Sequence, residues 1–338
     1  MTFTNPKHGG NLSEAIQVHG IPFEDWLDMS TGISPWGYPV PSFTEQLWSQ
    51  LPPPTERLIH AAKTYYGVDD RFLAPTPGSQ LAIRLLADQF ECSSVAVPRI
   101  GYQEHAHAWR LAGHEVKFYN TIEQLLAYVS TNAVEHVVVI NPNNPTGDIV
   151  GLAELQSVLD NTQGTLIVDE AFGDLFDDTS ALNLPAEKTI VLKSIGKFFG
   201  LAGARVGFII GNHNAAKRLA NLFEPWSLSG PSIAVSTLAL EDSNWQDSHR
   251  QSLKSQSEKF RNTLLRVSNS YDLEIKGNSH LFFTLFGMKK NVDRLHRDLV
   301  KVAIWTRRYN ADDPEYWLRM SLPNNINEFN SRIDDIGH

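Results

Sequence analysis

Apolar residues in the middle of the chain fall into short runs separated by amphipathic segments. Five runs rich in Val and Ile predict buried strands, at residues 95–97, 136–140, 165–168, 189–192 and 206–210. The segments between them have helical periodicity, at residues 79–90, 104–112, 152–159 and 214–223. This alternation predicts an α/β fold with a mostly parallel central sheet that helices cover on both faces.

The pattern changes after Pro225 and Pro231. A long polar amphipathic stretch over 236–268 is followed by short alternating runs at 281–286, 303–308 and 316–321. A long helical stretch followed by short alternating runs is typical of a smaller α+β domain. We therefore predict a large domain over 42–225 and a small domain formed by 1–41 together with 226–338.

Composition narrows the possible partners. The 338 residues include 38 acids against 29 Lys and Arg, a net charge of −9, which gives no general reason to bind nucleic acid or an anionic membrane. A lone cysteine, Cys92, can form no internal disulfide and fits a reducing compartment. The N-terminus has no apolar signal-peptide core, and no apolar run approaches the roughly 18 residues that a membrane helix needs. We expect a cytoplasmic protein that binds a small molecule.

Lys197 lies in the most informative segment, residues 193–207. It follows a predicted strand within a glycine-rich stretch, and ligands of α/β sheets bind beyond such strand ends. A partly desolvated lysine has its neutral amine available to form an imine with an aldehyde. Ser194 and Arg205 could bind one phosphate between them. Taken alone, this lysine could also be an ordinary surface charge.

Two more strand ends carry polar residues. Asp169 ends an apolar run, where a buried carboxylate needs a cationic partner such as a protonated pyridine nitrogen; an N-cap or a metal ligand are the alternatives. The run at 138–140 ends in Asn141-Pro142-Asn143-Asn144-Pro145-Thr146-Gly147, which could be only a tight turn. Asn144 could also donate its amide to a ring oxygen.

Together, these segments resemble the fold type I enzymes that depend on pyridoxal 5′-phosphate (PLP), the aspartate aminotransferase superfamily. The resemblance covers essentially the whole chain. It implies that Lys197 carries the cofactor as an imine, Asp169 pairs with the pyridine nitrogen, and Asn144 binds the ring hydroxyl. It also implies that Tyr102 stacks on the ring, although this residue could be an ordinary half-buried tyrosine. The implied phosphate ligands are Gly78, Ser79, Gln80, Ser194 and Arg205.

The chain departs from the aminotransferase pattern at two positions. Phe172 occupies the place that is usually tyrosine three residues after the aspartate, so one hydrogen bond to the ring oxygen is absent. Leu51-Pro52 stands where histidinol-phosphate aminotransferases have Tyr-Pro, whose tyrosine reaches the phosphate of the neighbouring subunit. The resemblance still implies a homodimer with shared active sites.

A narrower resemblance comes from His8-Gly9-Gly10, from Ser30-Thr31-Gly32-Ile33-Ser34-Pro35, and from Asp-Glu-Ala-Phe at 169–172. These segments are similar to those of the L-threonine-O-3-phosphate decarboxylases of cobalamin biosynthesis, so Phe172 supports this family. It implies conversion of L-threonine O-3-phosphate to (R)-1-aminopropan-2-yl phosphate and CO₂. Lys197, Asp169 and Tyr102 are then the catalytic candidates. The substrate-binding candidates are His8, Gly9, Gly10, Gly32, Asn144, Arg307 and Arg319.

Two other functions remain open from the residues alone. One is an aminotransferase acting on a phosphorylated amine such as histidinol phosphate, and the other is a non-catalytic PLP-binding module. A metal site at His105, His107 and His114 is disfavoured, because His105 and His107 are two apart on a predicted helix and face different directions.

Overall fold

The computed structural model describes residue 10 and residues 12–277, 279–310 and 315–337. The chain forms two compact units. The larger comprises Gly37–Asn144 and Ile149–Asp247; the smaller comprises Met1–Trp36, Pro145–Asp148 and Ser248–His338. Residues 37–41 and 226–247, predicted for the small domain, lie in the larger unit, and residues 145–148, predicted for the large domain, lie in the smaller one.

The larger unit alternates strands and helices, as the apolar pattern predicts. Its strands are β2 Leu73–Thr76, β3 Ser94–Pro98, β4 Glu115–Tyr119, β5 His136–Ile140, β6 Leu166–Asp169, β7 Thr189–Ser194 and β8 Gly207–Ile210. Its helices are α2 Gln46–Ser49, α3 Glu56–Tyr66, α4 Ser79–Leu86, α5 Glu104–Leu111, α6 Ile122–Ser130, α7 Leu152–Asn161, α8 Asn214–Asn221 and α9 Gly230–Glu241. Helix α9 packs against α3, which explains why residues beyond 225 belong to this unit.

Seven strands form one mixed sheet in the order β2-β8-β7-β6-β5-β3-β4. Strands β3 to β7 pair in parallel, while β8 runs antiparallel to both β7 and β2. The predicted mostly parallel sheet is confirmed, but the apolar pattern missed the two outermost strands. Pro75 lies in β2, and Glu115 and Lys117 lie in β4. Proline and charged residues are typical of sheet edges, where one side of the strand has no neighbour.

The central strands supply the core of this unit. Every residue of β5, β6 and β7 is buried, as expected for strands covered on both faces. One hydrophobic cluster joins Val97, Val138 and Ile167 of the sheet to Ile83 of α4 and Trp109 of α5. The sheet is therefore a rigid base, and its polar strand ends are held in fixed positions.

The smaller unit is α+β. Its strands are β1 Leu27–Asp28, β9 Glu274–Lys276, β10 Phe282–Met288, β11 Ile304–Trp305, β12 Arg307–Asn310 and β13 Glu315–Ser321. Its helices are α1 Leu12–His19, α11 Lys289–Lys301, α12 Ile326–Asp334 and the part of α10 Ser243–Ser270 that follows Asp247. Four strands form an antiparallel sheet in the order β12-β13-β10-β9, and β1 pairs in parallel with β11.

Aromatic rings pack the interior of the smaller unit. The ring of Phe260 from α10 lies 5.8 Å from that of Phe283 on β10 and 5.1 Å from that of Phe329 on α12. This packing holds two helices against the antiparallel sheet. None of the helices in the described part of the chain combines the length and apolar composition that a membrane crossing requires.

Candidate active site

The carboxyl ends of the parallel strands define one edge of the large sheet. Ile140 at the end of β5 is the register partner of Asp169 at the end of β6, and Asp169 is the partner of Leu192 near the end of β7. Since β8 runs the opposite way, its first residue, Gly207, lies at the same edge beside Ser194 and Thr76. This topology brings together the segments that follow β2, β5, β6 and β7 and the segment that precedes β8, and ligands bind at such an edge.

Glycines allow close contacts at the start of α4. Gly78 has a φ of +75°, and a Cβ atom there would lie 2.6 Å from Nη2 of Arg205. A Cβ on Gly207 would lie 2.6 Å from the backbone nitrogen of Ser79. The exposed guanidinium of Arg205 and the first backbone N–H groups of α4 are therefore neighbours. Both are suited to bind a phosphate.

Ser194 lies at the same corner of the sheet. It is the register partner of Gly207, whose missing side chain leaves room for the backbone of Ser79. The buried Ser194 hydroxyl accepts a hydrogen bond from the N–H of Gly196 at 3.2 Å. Its proton can then be donated to an anion. The residues predicted to bind phosphate thus form one cluster, which consists of Gly78, Ser79, Ser194 and Arg205.

Asp169 is buried, with 3% of its surface exposed, and has two partners. Its Oδ2 lies 2.9 Å from Nε2 of His105 on α5, and its Oδ1 accepts a hydrogen bond from the N–H of Ala171 at 3.0 Å. The sequence predicted a cationic partner for this carboxylate, and the contact with His105 was not anticipated. This contact could have been anticipated, because α5 packs on the sheet and one of its histidines must then face the strand ends.

Tyr102 and Gln80 meet beside this pair. The hydroxyl of Tyr102 donates to Oε1 of Gln80 at 2.5 Å, which joins the segment after β3 to the first turn of α4. The rings of Tyr102 and His105 have centroids 6.4 Å apart and planes at 80°. Tyr102 therefore links the phosphate cluster to the Asp169–His105 pair.

Lys197 follows β7 in a tight turn. Its carbonyl accepts from the N–H of Gly200 at 3.2 Å. Its half-buried side chain places Nζ 5.2 Å from the ring centroid of Phe172. A phenylalanine at 172 thus gives the lysine an aromatic neighbour without a hydroxyl.

Asn141 and Asn143 fix the loop that leads to Asn144. The amide of Asn141 donates to the carbonyl of Val150 at 3.0 Å, and its oxygen accepts from the N–H of Val150 at 2.9 Å. The Asn143 amide donates to the carbonyl of Ile100 at 2.8 Å. These bonds anchor the turn to the end of β5, where Asn144 is half-buried.

Arg307 and Arg319 are register partners on β12 and β13. Their guanidinium carbons lie 5.1 and 5.8 Å from the ring centroid of Tyr309, so the two cations share one aromatic neighbour. Opposed like charges repel on a sheet, and an anionic ligand would relieve this repulsion. Arg319 is buried and also donates to the carbonyl of Ser30.

The predicted glycines of the smaller unit already use their N–H groups. Gly32 donates to Oγ of Ser321 at 2.7 Å, and Gly10 donates to Oγ of Ser30 at 2.9 Å. Ser321 Oγ in turn donates to the carbonyl of Met29 at 2.9 Å. His8 and Gly9 lie outside the described residues.

A buried ion pair lies next to the predicted site residues and was not anticipated. Nζ of Lys193 is 2.6 Å from Oε2 of Glu170. Burial alone would lower the pKa of Lys193, but the nearby carboxylates of Glu170 and Asp174 raise it above its ordinary value. The raised pKa favours the charged form of Lys193, next to Ser194 in the sequence. Among the described residues, no group of three His, Cys, Asp or Glu side chains is arranged to hold a metal ion.

The chain belongs to the aminotransferase class I and II family, whose sequence model matches residues 55–333. It is 39% identical over 323 residues to threonine-phosphate decarboxylase of Pseudomonas aeruginosa, covering 94% of this chain and 93% of that protein. A second threonine-phosphate decarboxylase, from a Sinorhizobium species, is 36% identical over 69% of this chain and 71% of its own length.

The fold is also that of solved structures. Histidinol-phosphate aminotransferase from Sinorhizobium meliloti in complex with pyridoxal-5′-phosphate has a TM-score of 0.77 and 17% identity, covering 99% of this chain and 95% of that one. The predicted fold type I architecture is confirmed. The predicted resemblance to the threonine-phosphate decarboxylases is confirmed as well.

Proposed function

We propose that this protein decarboxylates L-threonine O-3-phosphate to (R)-1-aminopropan-2-yl phosphate and CO₂ in cobalamin biosynthesis, with PLP as cofactor. The observation that carries this proposal is the 39% identity to a threonine-phosphate decarboxylase along nearly the whole of both chains. Phe172, buried against Lys197, is consistent with it.

The described residues fit PLP. The N–H groups at the start of α4, the Ser194 hydroxyl and the Arg205 guanidinium offer donors for its phosphate, and the space beside Gly78 exists only because that residue lacks a Cβ. Asp169 would bind the protonated pyridine nitrogen, Tyr102 would stack on the ring and Asn144 would bind the ring hydroxyl. Bound PLP supplies an electron sink for the pair left when CO₂ departs.

Asp169 and Lys197 have distinct tasks in this scheme. The carboxylate of Asp169, oriented by His105 and by the N–H of Ala171, would keep a proton on the ring nitrogen. Lys197 would hold the cofactor aldehyde as an imine. Lys197 or a nearby acid would supply the proton that replaces CO₂ at Cα.

Arg307 and Arg319 would bind the anionic groups of the substrate, because they present two guanidinium groups on adjacent strands. Arg319 is held in place by the carbonyl of Ser30. We assign His8, Gly9 and Gly10 to the substrate phosphate by resemblance. Since the N–H of Gly32 is already bonded to Ser321, Gly32 would contribute close backbone approach, which its φ of +69° permits.

The decisive assay compares two reactions of the purified protein loaded with pyridoxal phosphate. We expect CO₂ and aminopropanol phosphate from L-threonine O-3-phosphate, and no 2-oxoglutarate-dependent transamination of histidinol phosphate. Fast transamination without CO₂ would establish the aminotransferase alternative instead. Bound cofactor with neither reaction would favour a non-catalytic binding module.

Lys197→Ala tests the lysine assignment. The variant should lose decarboxylation and the visible absorbance of lysine-bound cofactor, because no other amine would hold the aldehyde at this point. Lys217→Ala, at an exposed lysine of α8, is the matched control and should keep both properties. Retention of the visible band by purified Lys197→Ala protein would refute the assignment.

The quaternary proposal is a homodimer. Trp48 and Leu51 are 70% and 68% exposed. Helix α2 packs against the start of α9. Trp226, which lies four residues before α9 begins, is 61% exposed. Large apolar side chains exposed in one region are typical of an interface. Sedimentation velocity should show a dimer that Trp48→Glu dissociates, whereas Val18→Glu on α1 leaves it intact. A wild-type monomer would refute the proposal.

The remaining proposals concern location and partners. A cytoplasmic location is supported by the single cysteine, Cys92, which suits a reducing compartment. The net charge of −9 favours a small-molecule substrate over nucleic acid.

A further inference from the structure

The ion pair between Glu170 and Lys193 lies immediately beside two proposed cofactor ligands. Glu170 follows Asp169, and Lys193 precedes Ser194. Because side chains alternate along a strand, the ion pair occupies the sheet face opposite to Asp169 and Ser194. Both charged side chains are almost completely buried, with 1% and 3% exposed.

The charges of this pair are well satisfied. Oε1 of Glu170 accepts from the N–H of Ala181 at 2.6 Å, and Oε2 accepts from the hydroxyl of Ser180 at 2.7 Å. Nζ of Lys193 lies 5.2 Å from the ring centroid of Tyr66. The pair thus ties the ends of β6 and β7 to the segment around residue 180.

The backbone keeps the two strand ends adjacent only up to this point. The N–H of Glu170 donates to the carbonyl of Leu192 at 2.9 Å. Beyond it the chain turns away, and a Cβ on Gly173 would lie 2.9 Å from Cβ of Glu170. Past the last ladder bond, the ion pair is a direct contact between the two chain segments that lead to Phe172 and Lys197.

Stability alone explains this arrangement poorly. Replacing a buried ion pair with apolar residues is often neutral or stabilising, whereas removing one partner is strongly destabilising. A well-satisfied buried pair is more informative about geometry, because its short contact and its hydrogen bonds specify one arrangement of the strands that carry it.

We propose that Glu170 and Lys193 are positioning residues, whose ion pair holds the ends of β6 and β7 at the spacing at which Asp169 and Ser194 bind the cofactor. This inference rests on the proposed cofactor site. It assigns the pair no contact with cofactor or substrate. Its consequence is that cofactor affinity depends on the pair separately from the stability of the fold.

The test uses a double-variant cycle. Glu170→Gln and Lys193→Met each leave one buried partner without its counter-charge, so both should be destabilised. The combined E170Q/K193M variant removes both members of the ion pair and should regain most of the lost stability. Lys193→Arg keeps the cation, and Ser180→Ala removes one hydrogen bond to Glu170 while leaving the ion pair intact.

Each variant is measured in two ways, by urea unfolding and by titration with pyridoxal phosphate followed through visible absorbance. We expect the double variant to unfold near the wild-type midpoint yet bind pyridoxal phosphate about tenfold more weakly, the equivalent of one charge-assisted hydrogen bond. Lys193→Arg and Ser180→Ala should stay within about threefold of the wild-type dissociation constant.

Wild-type cofactor affinity in a folded double variant would overturn the inference, and so would a double variant that does not fold. The proposed decarboxylation is judged separately on the wild-type enzyme. If loss of the pair weakens pyridoxal phosphate binding as expected but the wild type releases no CO₂ from L-threonine O-3-phosphate, the proposed function fails and the positioning role stands.

Discussion

Replacing His136 with asparagine should make the stability of the protein less sensitive to acid. His136 begins β5 and is 5% exposed, with its ring 4.6 Å from that of Phe90. Its Nδ1 accepts a hydrogen bond from the N–H of Thr165 at 3.0 Å, so that nitrogen carries no proton. The carboxamide oxygen of asparagine can accept the same bond without titrating.

Burial, with a smaller contribution from His114 and His213, lowers the pKa of His136 from 6.5 to about 4 in the folded protein. The unfolded chain therefore binds the proton first as the pH falls. The stability is fully present above pH 6.5 and is lost progressively between pH 6.5 and pH 4. Between pH 7.5 and pH 5.0 the loss is about 2 kcal/mol, since each pKa unit corresponds to about 1.4 kcal/mol.

Urea unfolding followed by tryptophan fluorescence at these two pH values measures the effect. The drop in unfolding free energy from pH 7.5 to pH 5.0 should be about 2 kcal/mol smaller in His136→Asn than in the wild type. The packing loss that asparagine causes cancels, because it is the same at both pH values. His60→Asn, at an exposed position of α3, should keep the wild-type dependence. An equal drop in His136→Asn and wild type would refute the reasoning.

Two further predictions concern the ligand sites. Gly78→Ala should weaken pyridoxal phosphate binding about tenfold in an absorbance titration, because its Cβ would push the guanidinium of Arg205 aside. Gly203→Ala, where nothing lies within 4 Å, should bind normally. Ser321→Ala should raise KM for L-threonine O-3-phosphate about tenfold at unchanged cofactor affinity, because the buried N–H of Gly32 loses its hydrogen-bond acceptor. Ser321→Thr keeps a hydroxyl and should restore KM. An unchanged KM in Ser321→Ala would contradict this role.

The sequence was sufficient to predict which polar residues lie at one edge of the sheet wherever a polar residue directly ends an apolar run. Asp169 and Ser194 end buried strands, and parallel strands bring such ends to one edge. His105 was not predictable in this way. It lies 64 positions from Asp169, and the rotation of α5 on the sheet decides whether His105 or His107 faces the carboxylate. Periodicity shows only that the two histidines face different directions.

The Glu170–Lys193 pair was unpredictable for a different reason. Lys193 lies in β7 and Glu170 directly follows β6, both are buried, and charge is rarely buried without a partner. The rule that buried charges are paired indicates that Glu170 and Lys193 each need an opposite charge, but it does not identify the residue that supplies it. The register of β6 against β7, where Asp169 faces Leu192, selects the partner, and a register is a property of the folded sheet.

This register also links the two faces of the strand pair. Asp169 and Glu170 are consecutive, as are Lys193 and Ser194, so one face carries the proposed cofactor ligands and the other carries the ion pair. A slip of β6 by one residue would point Asp169 away from His105 and bury Glu170 in its place. It would also separate Glu170 from Lys193, so that Lys193 would lose the carboxylate it contacts at 2.6 Å. The ion pair therefore penalises the registers in which the cofactor site cannot form, which is why we expect its loss to affect cofactor affinity even where apolar replacements preserve the fold.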